Sequence, residues 1–62
     1  MKKRELEKRL MDYGWWFLRE GSCHEMWTNG EHKIAVPRHK EIVEYTARAI
    51  LRKTMMNPGI KR

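Results

Sequence analysis

Asn29-Gly30 constrains this chain more than any other pair of residues in it. Asn-Gly is the preferred pair for a two-residue hairpin turn, because both central positions of that turn need positive φ. The runs on either side, 24–28 and 31–36, are rich in residues that suit strands. A two-residue turn there predicts an antiparallel hairpin in which Thr28 faces Glu31, Trp27 faces His32, Met26 faces Lys33, Glu25 faces Ile34 and His24 faces Ala35. Side chains alternate across a strand, so Glu25, Trp27, His32, Ile34 and Val36 share one face, and His24, Met26, Thr28, Glu31, Lys33 and Ala35 the other. The first set is the more apolar and is the expected core face. His24 is then expected on the open face.

The remaining elements follow from periodicity. Leu6, Leu10 and Tyr13 recur at helical spacing among charged residues, which predicts an amphipathic helix over about 2–13. Gly14 is its natural stop. The run Trp15-Trp16-Phe17-Leu18, between Gly14 and Gly21, predicts a strand over about 15–20, with Trp15 and Phe17 on one face and Trp16 and Leu18 on the other. Pro37 closes the third strand by removing a ladder donor, and Arg38-His39-Lys40 forms a basic corner. Val43, Ala47, Ile50 and Leu51 define the inner face of a second helix over about 42–55, with Glu44, Arg48 and Arg52 outside. Asn57-Pro58-Gly59 ends that helix, and residues 60–62 are expected to fray. The order is α-β-β-β-α: an α+β chain with a three-stranded antiparallel sheet and two helices on one face.

Composition bounds the function. Sixty-two residues make one domain, residues 1–62, with a modest core and no room for a deep pocket, so its chemistry belongs on a surface. Fourteen Lys and Arg against eight Asp and Glu give a net charge of +6, which favours a polyanionic partner, either nucleic acid or an acidic protein. One cysteine rules out an internal disulfide and suits a reducing compartment, with the cytoplasm as the expected location. The apolar clusters are short and interrupted by charges, so neither a signal peptide nor a membrane span is expected.

Among candidate site residues, His24 stands first. An imidazole on an open, basic sheet face can take a proton from a ribose 2′-OH or give one to a leaving 5′-oxygen. Gly21 and Ser22 permit a tight turn whose N–H groups can cradle a phosphate, and Lys33 shares the open face with His24. Taken alone, the same pattern also describes an inert surface histidine. Cys23 and His24 are adjacent on an extended strand and point to opposite faces, which argues against a thiolate-imidazole pair. His24 and His32 fall on opposite faces, and the spacings of Cys23, His24, His32 and His39 match no common zinc framework.

Four blocks occur together in order: Arg19-Glu20-Gly21-Ser22-Cys23-His24-Glu25; Thr28-Asn29-Gly30-Glu31-His32; Val36-Pro37-Arg38-His39 with Glu41-Ile42; and Ala47-Arg48-Ala49-Ile50-Leu51. Over nearly the whole chain they closely resemble the HicA family of type II toxin-antitoxin systems. The resemblance implies a double-stranded-RNA-binding-domain-like fold, a ribosome-independent mRNA interferase activity and neutralisation by a HicB-type antitoxin. It places the family's active-site histidine, in a Gly-x-x-His block, on His24. Cys23, Met26 and Trp27 stand where that family varies, and the resemblance assigns them no function.

The combined expectation is an RNA endonuclease acting on mRNA through His24. Gly21 and Ser22 shape the phosphate seat, Lys33, Arg38 and Lys40 are candidate RNA contacts, and no metal or cofactor is required. Two other readings of the same residues are a non-catalytic RNA-binding module, since this fold reads A-form RNA by shape, and a basic domain that docks an acidic protein.

Overall fold

The computed structural model describes residues 1–59. Helix α1 (Lys3–Asp12) is followed by β1 (Trp16–Glu20), β2 (His24–Thr28), β3 (Lys33–Pro37) and helix α2 (Glu44–Met56). The strands form one antiparallel sheet in the order β1-β2-β3. This is the α-β-β-β-α architecture expected from the sequence. The expected fraying of 60–62 lies outside the described residues.

Leu6 and Leu10, one turn apart on α1, are fully buried, as their spacing requires. The helix ends in a Schellman motif: Trp15 N–H donates to the Leu10 carbonyl at 2.9 Å and Gly14 N–H to that of Met11 at 3.0 Å, with Gly14 at φ +88°. Gly14 is fixed a second time, because a Cβ there would lie 2.5 Å from the Gly59 carbonyl oxygen. Trp15 then enters the core, and its indole N–H donates to the carbonyls of Thr54 (3.2 Å) and Asn57 (2.9 Å). Leu6, Leu10, Trp15, Trp27, Val36, Ile42, Ala47 and Ile50 make the core between the helices and one face of the sheet.

Two expectations are corrected. The β2–β3 connection is four residues, 29–32, and Thr28 faces Lys33, Trp27 faces Ile34, Met26 faces Ala35, Glu25 faces Val36 and His24 faces Pro37. Asn29 does not adopt the positive φ of a two-residue turn; among the described residues only Gly14 and Gly30 do. Its side-chain oxygen instead accepts the N–H groups of Glu31 (2.8 Å) and His32 (2.6 Å), an Asx turn, while the Thr28 hydroxyl donates to the His32 carbonyl (2.7 Å). Glu31 and His32 therefore leave the sheet. The slip is two residues, and an even slip preserves every face assignment of the residues that remain paired.

The second correction concerns α2. Val43 is its N-cap and 70% exposed, and the buried face is Ala47, Ile50 and Thr54, with Leu51 partly covered. The cause lies upstream. Lys3 N–H donates to the Lys40 carbonyl (2.8 Å) and Ile42 N–H to that of Met1 (2.7 Å), so residues 40–42 run extended beside the start of α1 and the helix begins only after them.

Candidate functional site

His24 is the first residue of β2 and its side chain is exposed. The face it takes is set by its neighbour Glu25, which points to the helix side and meets Lys3 of α1 at 3.0 Å. Lys3 also reaches Glu7, at 2.5 Å, so one cation sits between two carboxylates at the junction of α1 and β2. Burial is the largest single influence on Lys3 and pushes its pKa down, but the hydrogen bonds and charges of Glu7 and Glu25 together outweigh it and leave the ammonium above its ordinary range. Burial likewise pushes Glu25 up, and the hydrogen bonds from Lys3 and Trp27 with the attraction of Lys3 bring it below the ordinary carboxylate range. This ion cluster fixes β2 from beneath.

The turn that leads into His24 is built from Gly21, Ser22 and Cys23. Gly21 N–H donates to the His24 carbonyl at 2.7 Å, and a Cβ at Gly21 would lie 2.9 Å from that oxygen, so a side chain here would force the turn apart. The Gly21 N–H is thus engaged in closing the turn. Arg38, one residue past β3, closes it from the other side: its guanidinium donates to the Gly21 carbonyl and to that of Ser22 (3.4 Å), and lies 3.6 Å from the Glu20 carboxylate. Arg38 is a clasp across the end of the sheet. Nothing in its local sequence distinguishes this role from a phosphate contact, because its partners lie 16 and 17 residues away.

The other candidates are placed differently. Lys33 is exposed and opens β3 opposite Thr28, while His24 pairs with Pro37 at the far end. Lys33 and Pro37 are four positions apart along β3, about 13 Å at strand rise, so Lys33 shares the face of His24 but not its vicinity. Lys40 is exposed in the basic corner and lines a groove of about 570 Å³ with Lys2, Lys3, Arg4, Glu7 and Glu41. His39 is exposed in the same corner, and His32 is exposed outside the sheet, 3.7 Å from Glu31. Gly21, Ser22, His24 and Arg38 are therefore brought together, and Lys33 is not.

These features define a small basic α+β domain with a histidine exposed at the end of the central strand of an open three-stranded sheet. The chain belongs to the HicA toxin family: the model of the family described as HicA toxin of bacterial toxin-antitoxin matches residues 4–56. It is thereby a toxin of the toxin-antitoxin type. No curated protein and no solved structure gives a significant match to the chain. No helix among the described residues is long and apolar enough to cross a membrane.

Proposed function

We propose that this HicA-family toxin is a ribosome-independent mRNA interferase, a cytoplasmic endoribonuclease in which His24 moves the proton and a HicB-type antitoxin neutralises it. The observation that carries the reading is the position of His24: exposed, first in β2, with its turn clasped by Arg38 and its strand anchored by the Lys3–Glu25 pair. The reaction suited to one such imidazole is internal transfer. The ribose 2′-oxygen bonds to phosphorus, the bond from phosphorus to the 5′-oxygen breaks, and the products are a 2′,3′-cyclic phosphate and a 5′-hydroxyl. One of the two proton transfers, from the 2′-OH or to the 5′-oxygen, falls to His24, and water serves the other.

Gly21 and Ser22 shape the seat for the phosphate, and Lys33 and Lys40 lie along the RNA on either side of it. The reaction needs no metal ion, because internal transfer asks only for a proton acceptor at the 2′-oxygen and a donor at the 5′-oxygen. The antitoxin needs only to cover the exposed face around His24, where the toxin's positive charge speeds capture by an acidic partner.

The test is cleavage of a defined RNA by purified protein in excess EDTA, with the ends of the products identified. A 2′,3′-cyclic phosphate or its hydrolysis product is expected, and His24→Ala is expected to abolish cleavage with an unchanged circular dichroism spectrum. Products bearing a 5′-phosphate, or equal rates for His24→Ala and the parent, overturn the mechanism. RNA binding without cleavage replaces it with a non-catalytic binding module.

A further inference from the structure

Strand β1 contains one irregularity, between Phe17 and Arg19. Trp16 faces Thr28 and Phe17 faces Trp27, yet the next pair is Arg19 with Met26, so Leu18 and Arg19 together span the place of one residue on β2. Such a bulge re-aims the side chains that follow it. Phe17 meets Trp27 edge to face at 6.2 Å on the helix side, and strict alternation from Phe17 puts Arg19 on that side as well. The extra residue reverses this. Arg19 pairs with Met26 and Glu20 with Glu25; Glu25 points to Lys3 of α1, so Arg19 and Met26 face the open side with His24.

His24 lies two residues along β2 from Met26, which makes Arg19 its diagonal neighbour across the strand pair. Diagonal neighbours are about 7–8 Å apart, within reach of a long side chain. Arg19 is exposed and its side chain makes no hydrogen bond or ion pair among the described residues, whereas Arg38 is engaged by the turn and Lys33 lies at the far end of the face. We propose that Arg19, delivered to the open face by the β1 bulge, is the residue that binds the non-bridging oxygens of the scissile phosphate beside His24. The proposal rests on the reading of His24 given above. A guanidinium suits the task because its planar fork matches two phosphate oxygens at once and stays charged at every working pH. As the 2′-oxygen bonds to phosphorus and the 5′-oxygen departs, negative charge gathers on those oxygens, and Arg19 holds it while His24 handles a proton.

The experiment compares single-turnover cleavage at saturating protein for the parent, Arg19→Ala, Arg19→Lys, His24→Ala and Arg9→Ala. Arg9 pairs loosely with Glu5 on the outer side of α1 and controls for the loss of one positive charge. Binding of the same RNA carrying a 2′-deoxy sugar at its mapped cleavage position is measured in parallel. Arg19→Ala is expected to slow cleavage by about 100-fold, the usual consequence of losing a donor to developing charge, with the affinity for the 2′-deoxy RNA lowered by no more than about threefold. Arg19→Lys is expected to recover about tenfold of the loss, since it restores the charge without the fork. Arg9→Ala stays within about twofold of the parent. An Arg19→Ala protein as fast as Arg9→Ala, while His24→Ala is inactive, overturns the role of Arg19 and leaves that of His24 standing. So does a defect confined to affinity. Failure of the parent to cleave, or a fully active His24→Ala, overturns both.

Discussion

At the β2–β3 end of the sheet the turn is closed from within, and at the β1–β2 end it is held from outside. Thr28 and Asn29 are buried, and their side chains accept or donate to Gly30, Glu31 and His32. The Asn29 amide also donates to the Asn57 carbonyl at 2.9 Å, the same oxygen that receives the Trp15 indole. That turn is therefore continuous with the core. Ser22, Cys23 and His24 are exposed, and what closes their turn is the backbone bond from Gly21 and the arginine clasp. The first turn gives stability by burying Thr28 and Asn29, whereas the open turn contributes little stability and presents His24 to solvent.

This contrast breaks most readily at Asn29. Asn29→Ala removes three side-chain hydrogen bonds of about 1 kcal/mol each, for an expected loss near 3 kcal/mol and a fall in Tm of more than about 10 °C. Thermal unfolding followed by circular dichroism measures it. A shift smaller than that of Arg38→Ala would mean that the buried turn is not the structural one.

The next effect is at the ion cluster beneath β2. Lys3→Met leaves Glu7 and Glu25 without their shared cation, and a cost of about 2 kcal/mol at neutral pH is expected. Its pH dependence has a definite sign. Glu25 is held below its ordinary range in the folded chain, so its contribution is present above that range and is lost as pH falls through the lowered value. Lys3 is raised, so its contribution is present below the ordinary lysine range and is lost as pH rises through the raised value. The difference in stability between the parent and Lys3→Met should therefore shrink on acidification. Urea unfolding across a pH series checks it, and a gap that stays constant down to strongly acid pH contradicts the ion pairing.

Legibility in the sequence divides along the same line. Leu6, Leu10, Ala47 and Ile50 could be read as core because helical periodicity is local, and the face of His24 could be read because a strand has only two faces. The register could not. Asn29-Gly30 has two ways to close a turn, and the choice depends on the fit of Asn29 against Asn57, 28 residues away. Val43 was misplaced for a similar reason, since the bridge between Lys2 and Glu41 sets the start of α2. The candidate site was legible to the extent of its turn and its histidine. The face of Arg19 is not legible because no residue in the run Phe17-Leu18-Arg19 marks a bulge, and Lys33 lies farther from His24 than the expected register implies because that register is two residues short.

The smallest expected effect separates the open turn's two functions, folding and holding His24. Arg38 lies at the surface with its side chain 42% exposed, and a surface arrangement of this kind adds no more than about 1 kcal/mol to stability. Its clasp on the Gly21 and Ser22 carbonyls nevertheless decides where His24 sits, and misplacing a reactive group by about 1 Å can slow a reaction by as much as 100-fold. For Arg38→Ala a loss of about tenfold in single-turnover rate is expected, equivalent to about 1.4 kcal/mol of barrier, with Tm lowered by only a few degrees. Arg38→Lys should recover little of the rate, because an ammonium has no planar fork to span two carbonyls and Glu20 together. A direct phosphate contact predicts a different pattern: weaker RNA binding, a shallower salt dependence of affinity, and partial rescue by lysine. The salt slope of binding to 2′-deoxy RNA, measured beside the rate, distinguishes them. An unchanged slope with a slowed rate assigns Arg38 to the turn, and a slope reduced by about one assigns it to the RNA and removes the clasp as the reason His24 is held.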